Sequence, residues 1–221
     1  MEKSRKILRR LELLHPKKID LSLDRLRRLL NKLNNPHLRL PPVIHIAGTN
    51  GKGSVTSILR SIYETSKLNV QCYTSPHIIK FNERIRINSK LITNDYLNIL
   101  LEECEFYNRG EEITFFEITT AAAFLAFSRV NSDLLILETG LGGRFDATNI
   151  IEEKICSVLT PISMDHMNFL GSKISLIARE KFGIVKNSER VIISKQKSYV
   201  KYLIRTYLKK INTITHEEGK D

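Results

Sequence analysis

The spacing of apolar and polar residues divides the chain into short strands that alternate with helices. Continuous apolar runs predict strands at 43–47, 69–73, 134–137, 157–160 and 191–194. Apolar residues at every third or fourth position predict helices at 5–34 in two pieces, from 54 onward, and at 95–107, 119–127, 176–185 and 199–209. The polar tail at 216–221 is expected to be loose.

The order of these elements predicts the fold class. Each predicted strand ends in a polar turn that bears glycine or proline, and a helix follows. This alternation is typical of an α/β fold with a doubly wound, mostly parallel sheet flanked by helices. Ligands of such folds bind at the carboxyl ends of the strands. The residues directly after each strand are therefore the first candidates for chemistry.

A glycine-rich turn follows the first strand, where residues 43–54 read V-I-H-I-A-G-T-N-G-K-G-S. Strand, glycine turn and helix start form the layout of a phosphate-binding loop (P-loop). Glycines let backbone N–H groups close around phosphate oxygens, and the new helix directs its positive end at the anion. Lys52 is expected to reach a β- or γ-phosphate, and the Ser54 hydroxyl to ligate Mg²⁺. Because Gly53 separates the two, an ordinary glycine-rich turn beside a lysine is the alternative.

Polar residues also follow three other predicted strands. Ser75 and His77 follow the second strand, Glu138 comes directly after the run at 134–137, and Asp165 and His166 follow the next strand. A carboxylate at such a strand end can hold Mg²⁺, which makes Glu138 the best metal candidate outside the loop. A carboxylate that caps the following turn is the alternative. For Asp165 and His166, structural and functional roles stay equally open.

Charge and cysteine content narrow the function classes. The net charge is +11, but Lys and Arg are spread along the chain, so nucleic-acid binding stays an alternative and is not expected. Three widely spaced cysteines indicate a reducing compartment without a disulfide framework or zinc site. The charged N-terminus lacks the apolar core of a signal peptide, and no apolar run is long enough to span a bilayer. A cytoplasmic protein without membrane contact is expected.

Five motifs, in order, resemble the Mur ligase family. They are A-G-T-N-G-K-G-S, T-S-P-H, L-E-T-G-L-G-G-R-F-D-A-T-N, the pair D-H and the triplet R-E-K. The resemblance is closest to the folate branch, the folylpolyglutamate synthase/dihydrofolate synthase enzymes, in which glycine between lysine and hydroxyl is normal. It implies an ATP- and Mg²⁺-dependent ligase. ATP would convert a carboxylate of dihydropteroate or folate to an acyl phosphate, which the amino group of L-glutamate then attacks.

The resemblance also implies roles for individual residues in the nucleotide and metal sites. Ser54 would bind the first Mg²⁺, and Ser75, Glu138 and His166 would bind the second. Lys181 matches the family's carbamylated lysine, although composition alone would place it on a solvated helix face. Lys181, His166 and Glu138 would be the catalytic residues. The ATP phosphates would be held by Thr49, Asn50, Gly51, Lys52, Gly53 and Ser54.

The substrate-binding residues follow from the same resemblance. The N-terminal segment K-I-D-L matches a segment that binds the pterin side of the substrate, and further contacts come from the regions around 114–116 and 146. The substrate-binding residues implied are Lys18, Ile19, Asp20, Leu21, Thr114, Phe116 and Asp146.

The family's domain organisation sets a further expectation. Family members add a C-terminal domain that helps to bind ATP and glutamate. Residues 1–221 are expected to form a single, monomeric ATP-binding domain that is incomplete at its C-terminal end and lacks that second domain. The alternatives are a Mg²⁺–nucleotide-binding P-loop module of another class, or a gene remnant without ligase activity. The sequence has neither a G-K-[ST] step nor an N-K-x-D motif to favour a kinase or GTPase.

Overall fold

The structure, a computed structural model, describes residues 2–17, 19–187 and 190–219. Its strands are β1 Val43–Ala47, β2 Val70–Tyr73, β3 Ile85–Ile87, β4 Lys90–Leu91, β5 Leu134–Glu138, β6 Cys156–Leu159, β7 Arg190–Ile193 and β8 Ile214–Glu217. Its helices are α1 Glu2–Leu11, α2 Asp24–Lys32, α3 Lys52–Thr65, α4 Asn94–Asn108, α5 Phe115–Ser128, α6 Met167–Leu170, α7 Ile174–Phe182 and α8 Ser198–Leu208. Short 3-10 helices span Pro36–Leu38, Phe81–Arg84 and Ala147–Ile150.

The strands form one sheet in the order β4-β3-β2-β5-β1-β6-β7-β8. The six strands from β2 to β8 in that order pair in parallel, and the hairpin of β3 and β4 adds an antiparallel edge beside β2. Parallel neighbours need crossover connections, which usually contain a helix. Helices lie between β1 and β2, β2 and β5, β6 and β7, and β7 and β8, whereas the connection from β5 to β6 contains only the short 3-10 helix Ala147–Ile150. The predicted α/β class with a mostly parallel sheet is confirmed.

Alternation along the strands produces two differently covered faces. The odd-numbered positions of β1 lie on the face that packs against α1, α2, α4 and α5, and farther along the sheet against α7 and α8. The even-numbered positions, with their neighbours on β2, β5 and β6, lie on the opposite face, against α3. This arrangement leaves the carboxyl ends of β1, β2, β5 and β6 side by side, because the strands that carry them are parallel neighbours.

Two parts of the sheet were not predicted from the sequence. The hairpin of β3 and β4 is too short to give a periodic signal. The expectation of a loose tail was wrong for its beginning, because Ile214–Glu217 pairs in parallel with β7. The sequence I-T-H-E is only weakly apolar, so its pairing depends on the neighbouring strand rather than on local propensity.

The helix boundaries moved for identifiable reasons. The first helical region is indeed two helices, and the sequence places the break between them near His15 and Pro16. The two helices lie farther apart than that, because α1 ends at Leu11 and α2 begins at Asp24. α5 begins at Phe115 instead of 119, because Thr114 and Glu117 form a capping box. Within the described ranges, every helix is too short or too polar to cross a lipid bilayer.

Candidate functional site

The glycine-rich loop after β1 is fastened to the segment after β6. The N–H groups of Thr49 and Asn50 donate to the Pro161 carbonyl at 3.0 and 3.2 Å. The Thr49 hydroxyl donates to the Ser163 carbonyl at 3.1 Å and accepts from the Ser163 N–H at 3.1 Å. These hydrogen bonds hold the segments that follow β1 and β6 together at the carboxyl ends of the two strands. α3 begins directly after the loop.

The residues predicted to bind ATP occupy this loop and the first helical turn. Gly51 has a left-handed φ of +84° and precedes α3, which begins at Lys52. Ser54 is exposed on that first turn. A Cβ on Gly53 would lie 3.8 and 3.9 Å from the two carboxylate oxygens of Glu138, so the loop runs directly past that carboxylate. The free N–H groups of the first turn suit an anion.

Two lysines converge on one backbone carbonyl of the loop. The Nζ atoms of Lys52 and Lys181 donate to the Gly48 oxygen at 3.1 and 2.8 Å. Gly48 is packed so closely that a Cβ would lie 1.9 Å from the Thr160 hydroxyl oxygen, so this position requires glycine. A pair of cations beside free helical N–H groups is the electrostatic environment of a phosphate site.

Lys181 is buried rather than solvated. It is 2% exposed on α7, and burial, with the nearby positive charge of Lys52, lowers its pKa from 10.5 to about 8. The turn after β5 sets the position of α7, because the Arg144 N–H donates to the Glu180 carbonyl at 2.7 Å. The composition-based expectation of a solvated helix face for Lys181 was therefore wrong, because the adjoining turn covers this part of α7.

Glu138 ends β5 as a nearly buried carboxylate. It is 4% exposed, and the Ser75 N–H donates to its Oε2 atom at 3.4 Å. Burial raises the pKa of Glu138, whereas Lys52 and the Ser75 N–H act in the opposite direction. The Ser75 hydroxyl oxygen is also buried and has no hydrogen-bond partner among the described residues. Glu138 is thus a buried carboxylate whose charge is only partly balanced, and the Ser75 oxygen beside it is a buried acceptor. Two such oxygen groups fit a hard cation such as Mg²⁺.

Glu138 and Ser75 alone supply few ligands for a metal ion that is bound by protein side chains only. Within the described ranges, no three His, Cys, Asp or Glu side chains form a metal-binding group. Mg²⁺ usually keeps several waters and binds one or two carboxylates together with substrate phosphates. One carboxylate and one hydroxyl beside a phosphate-binding loop are consistent with that kind of site.

His166, in the segment after β6, is a partly exposed residue on the same side of the sheet as Ser75. Its backbone is left-handed, with a φ of 46°, and its Nε2 atom is 3.5 Å from Asp165 Oδ2. The imidazole is 45% exposed, and His166 and Ser75 both line one cavity. The structure therefore brings His166 and Ser75 together, while Ser75 and Gly53 both adjoin Glu138.

The cavity that His166 and Ser75 line has a volume of about 330 Å³. Phe116 forms part of its wall, and a Cβ on Gly140 would lie 2.5 Å from the Phe116 ring, so the ring seats directly on the turn after β5. Lys18 lies outside the described residues. All the other residues predicted to bind substrate line the cavity: Ile19, Asp20, Leu21, Thr114, Phe116 and Asp146.

Arg84 is a cavity residue that the sequence analysis missed. Its Nε atom donates to His77 Nδ1 at 2.9 Å, which places the proton of a neutral His77 on Nε2. Burial and the charge of Arg84 lower the pKa of His77. The carboxylate of Glu83 fixes the preceding loop by accepting three backbone N–H groups. No local pattern marks Arg84, because the loop fold alone turns it into the cavity.

Asp146 belongs to a buried hydrogen-bonded chain. Its Oδ1 atom accepts from the Thr148 N–H at 2.9 Å and hydroxyl at 2.6 Å, and its Oδ2 atom accepts from the Leu141 N–H at 2.8 Å. Because the single Thr148 hydroxyl proton goes to Asp146, His45 Nε2 must be the donor across its 2.8 Å contact with Thr148 Oγ1. Burial lowers the pKa of His45 well below its usual value, so the ring is neutral. This chain fixes the turn at 140–148.

The strand order and the loop define an α/β phosphate-loop domain with its ligand groups at the carboxyl ends of the strands. The chain belongs to the Mur ligase middle domain family, which matches residues 46–221. The sequence-based resemblance to this family is confirmed.

Proteins similar to this chain include folate enzymes. The dihydrofolate synthase/folylpolyglutamate synthase of Haemophilus influenzae is 40% identical over 183 residues, which cover 83% of this chain and 41% of that protein. Escherichia coli FolC in complex with DHPP and ADP superposes with a TM-score of 0.91 at 32% identity, covering 98% of this chain and 51% of that one. The bifunctional synthase of Yersinia pestis complexed with AMPPNP and Mn has a TM-score of 0.87 at 29% identity, covering 97% and 51%. The chain thus spans about half the length of these relatives.

Replacing Thr148 by Val tests the buried chain. The change removes the hydroxyl that donates to Asp146 and accepts from His45, while it keeps the shape of the side chain. Because two buried polar groups lose a partner, we expect a loss of about 1–3 kcal/mol in the free energy of unfolding. Urea denaturation measures it, with Thr206→Val on the exposed face of α8 as the matched control. Equal losses in the two variants would contradict the role of the chain.

Proposed function

We propose that this chain is the nucleotide-binding part of an ATP-dependent amide ligase that adds L-glutamate to dihydropteroate, folate or both through an acyl phosphate. The observation that carries the proposal is the convergence of Lys52 and Lys181 on the Gly48 carbonyl, beside Glu138 and the substrate-sized cavity. The names of the relatives and the nucleotides in their structures support it. Residues 1–221 would act as one monomeric ATP-binding domain.

The loop from Thr49 to Ser54 would bind the phosphates of ATP. Backbone N–H groups of the first turn of α3 would face the phosphate oxygens, and Lys52 would exchange its bond to Gly48 for one to a phosphate. The Ser54 hydroxyl would hold the first Mg²⁺, and Ser75, Glu138 and His166 the second. Bound Mg²⁺ would neutralise charge on the transferring phosphoryl group.

The neighbouring cavity would position the carboxylate to be activated. A volume of about 330 Å³ is at the lower end of the usual range for small-molecule sites, which suits a bicyclic ring. Phe116 and Leu21 offer apolar walls, while Thr114 and Asp146 offer polar atoms. Arg84 would attract the substrate carboxylate toward the side of the cavity that Ser75 and His166 share. Positioning of this kind, together with charge neutralisation, is the main contribution of an enzyme to phosphoryl transfer.

Lys52 should govern nucleotide binding. We expect Lys52→Ala to weaken Mg²⁺–ATP binding by about tenfold or more, since it removes a cation from the phosphate site. Isothermal titration measures this, with Lys90→Ala on the exposed edge hairpin as the control. Tighter binding of GTP than of ATP, or no effect of Lys52→Ala, would refute the proposal. With residues 1–221 alone, which span about half the length of the relatives, we expect little glutamate ligation, because an open site exposes an acyl phosphate to water.

Glu138→Gln should weaken Mg²⁺ binding and at the same time raise the stability of the fold. The substitution removes the charge that would hold Mg²⁺, so the gain in ATP affinity on adding Mg²⁺ should shrink, while Mg²⁺-free ATP should bind at least as tightly as before because a negative charge beside the phosphate site is lost. Because burial raises the pKa of Glu138, ionisation at neutral pH costs folding free energy, and Gln should raise the urea midpoint. Glu12→Gln at an exposed position after α1 is the control. An unaltered Mg²⁺ effect would rule out Glu138 as a ligand.

Lys181 is proposed to react with CO₂, as its match to the family implies. The neutral amine attacks carbon dioxide, a C–N bond forms, and the nitrogen releases a proton to leave a carbamate anion. With a pKa of about 8, the neutral fraction grows as the pH rises through 8. We expect a carbamate signal from ¹³C-labelled bicarbonate in NMR spectra that increases over that range and is missing in Lys181→Gln. Identical spectra of the two proteins would exclude the modification.

A further inference from the structure

A small cavity adjoins the candidate substrate cavity, between α1 and the loop that joins β2 to β3. We call it the α1 cavity; parts of residues 4–8 and 77–82 line it, together with Asn94 of α4. Its volume is about 150 Å³. Small-molecule sites usually measure roughly 300–1,000 Å³, and one water molecule takes up about 30 Å³ in the liquid. The α1 cavity therefore has room for a hydrated small ion but not for a molecule of drug size.

His77 lies between the two cavities. Its ring lines the α1 cavity, and its Nδ1 atom accepts a hydrogen bond from Arg84, which lines the candidate substrate cavity. The ring also makes a T-shaped contact with Phe81, at 5.7 Å between the ring centroids. Since Nδ1 is the acceptor, a neutral His77 carries its proton on Nε2, and no described residue accepts that proton. A fixed N–H donor is thus left for a ligand of the α1 cavity.

Ser4 contributes a buried hydroxyl to the α1 cavity. The residue lines the cavity and is 5% exposed, and its Oγ atom forms no hydrogen bond with any described residue. Folded proteins leave few buried hydroxyl groups unpaired, because each unpaired group has lost its hydrogen bonds to water. Alanine would fill this position of α1 without that cost. The Ser4 hydroxyl is therefore a second donor that is available to a ligand.

Both charged side chains that line the α1 cavity are cations. They are Arg5 of α1 and Lys80 of the loop, and no described aspartate or glutamate lines the cavity. Arg5 takes no part in the ion pairs that α1 forms within the described ranges. The acidic residue of the loop, Glu83, instead accepts the backbone N–H groups of residues 78–80. Two positive charges around a small space favour an anion with two negative charges.

We propose that the α1 cavity binds one small, doubly charged oxyanion, of which inorganic phosphate is the simplest example. Arg5 and Lys80 balance its two charges, and Ser4 Oγ and His77 Nε2 donate hydrogen bonds to its oxygens. The bound anion holds His77 in the tautomer that accepts from Arg84, so it links the α1 cavity to the candidate substrate cavity. The binding itself does not depend on ligase activity, because none of these four side chains belongs to the nucleotide or metal site.

Imidazole ¹H–¹⁵N NMR spectra of the 221-residue protein, titrated with inorganic phosphate at constant ionic strength, test the proposal. Such spectra report the tautomer and the hydrogen bonds of each ring, and His77→Phe identifies the His77 signals among the six histidines. At about pH 8, where phosphate is mostly doubly charged, we expect the Nε2 signal of His77 to shift with a Kd on the order of 1 mM. Acetate should bind about tenfold more weakly, because it carries only one charge.

Variants separate the α1 cavity from the glycine-rich loop, which also attracts phosphate. Arg5→Ala should raise the Kd about tenfold and Ser4→Ala about threefold, each with a native-like urea midpoint because alanine favours the helix. Arg9→Ala removes the same charge from an exposed position of the same helix and should change the Kd less than about twofold. Lys52→Ala should likewise leave the response of His77 within about twofold.

Four results would overturn the proposal: no shift of the His77 signal with phosphate, equal affinity for acetate, equal weakening by Arg5→Ala and Arg9→Ala, or a response that Lys52→Ala abolishes. The last result would assign the phosphate to the glycine-rich loop. The Nε–H signal of Arg84 tests the link between the cavities in the same samples, since its exchange with water should slow when phosphate binds. An unchanged exchange rate would refute that link.

Discussion

The balance of three charges around Gly48 underlies the arrangement of the candidate site. Two lysines donate to one carbonyl, and a buried carboxylate lies directly across the loop. Lowering the pKa of Lys181 from 10.5 to about 8 corresponds to a penalty of roughly 3 kcal/mol on its charged form. Burial likewise disfavours the charged form of Glu138. A bound ligand of opposite charge can offset the cost of burying such groups. Strongly shifted pKa values are accordingly more frequent at functional sites than elsewhere.

The turn after β5 connects the glycine-rich loop region with α7, with Phe116 and with the buried chain that includes Asp146. The Arg144 N–H of this turn donates to the Glu180 carbonyl of α7. This bond positions α7 so that Lys181 reaches the Gly48 carbonyl of the glycine-rich loop. The turn also supports the Phe116 ring at Gly140, and Asp146 with Thr148 and the neutral His45 holds it from inside. A single buried chain of polar groups therefore positions both the cationic and the apolar parts of the site. Most of the Asp146 hydrogen-bonding capacity serves this turn.

How much the sequence predicted follows from how local each signal is. Strands β1, β2, β5, β6 and β7, the glycine-rich loop and the residues at the strand ends are set by neighbours within a few positions, so periodicity and turn chemistry predicted them. The ordered motifs likewise identified the family, because each is a contiguous run. The burial of Lys181, the place of Arg84 in the cavity wall, the hydrogen-bonded chain from His45 to Asp146 and the pairing of β8 were decided by the tertiary structure alone. Each of these depends on atoms that are distant along the chain, and only packing brings such atoms to hydrogen-bonding distance or withdraws them from water.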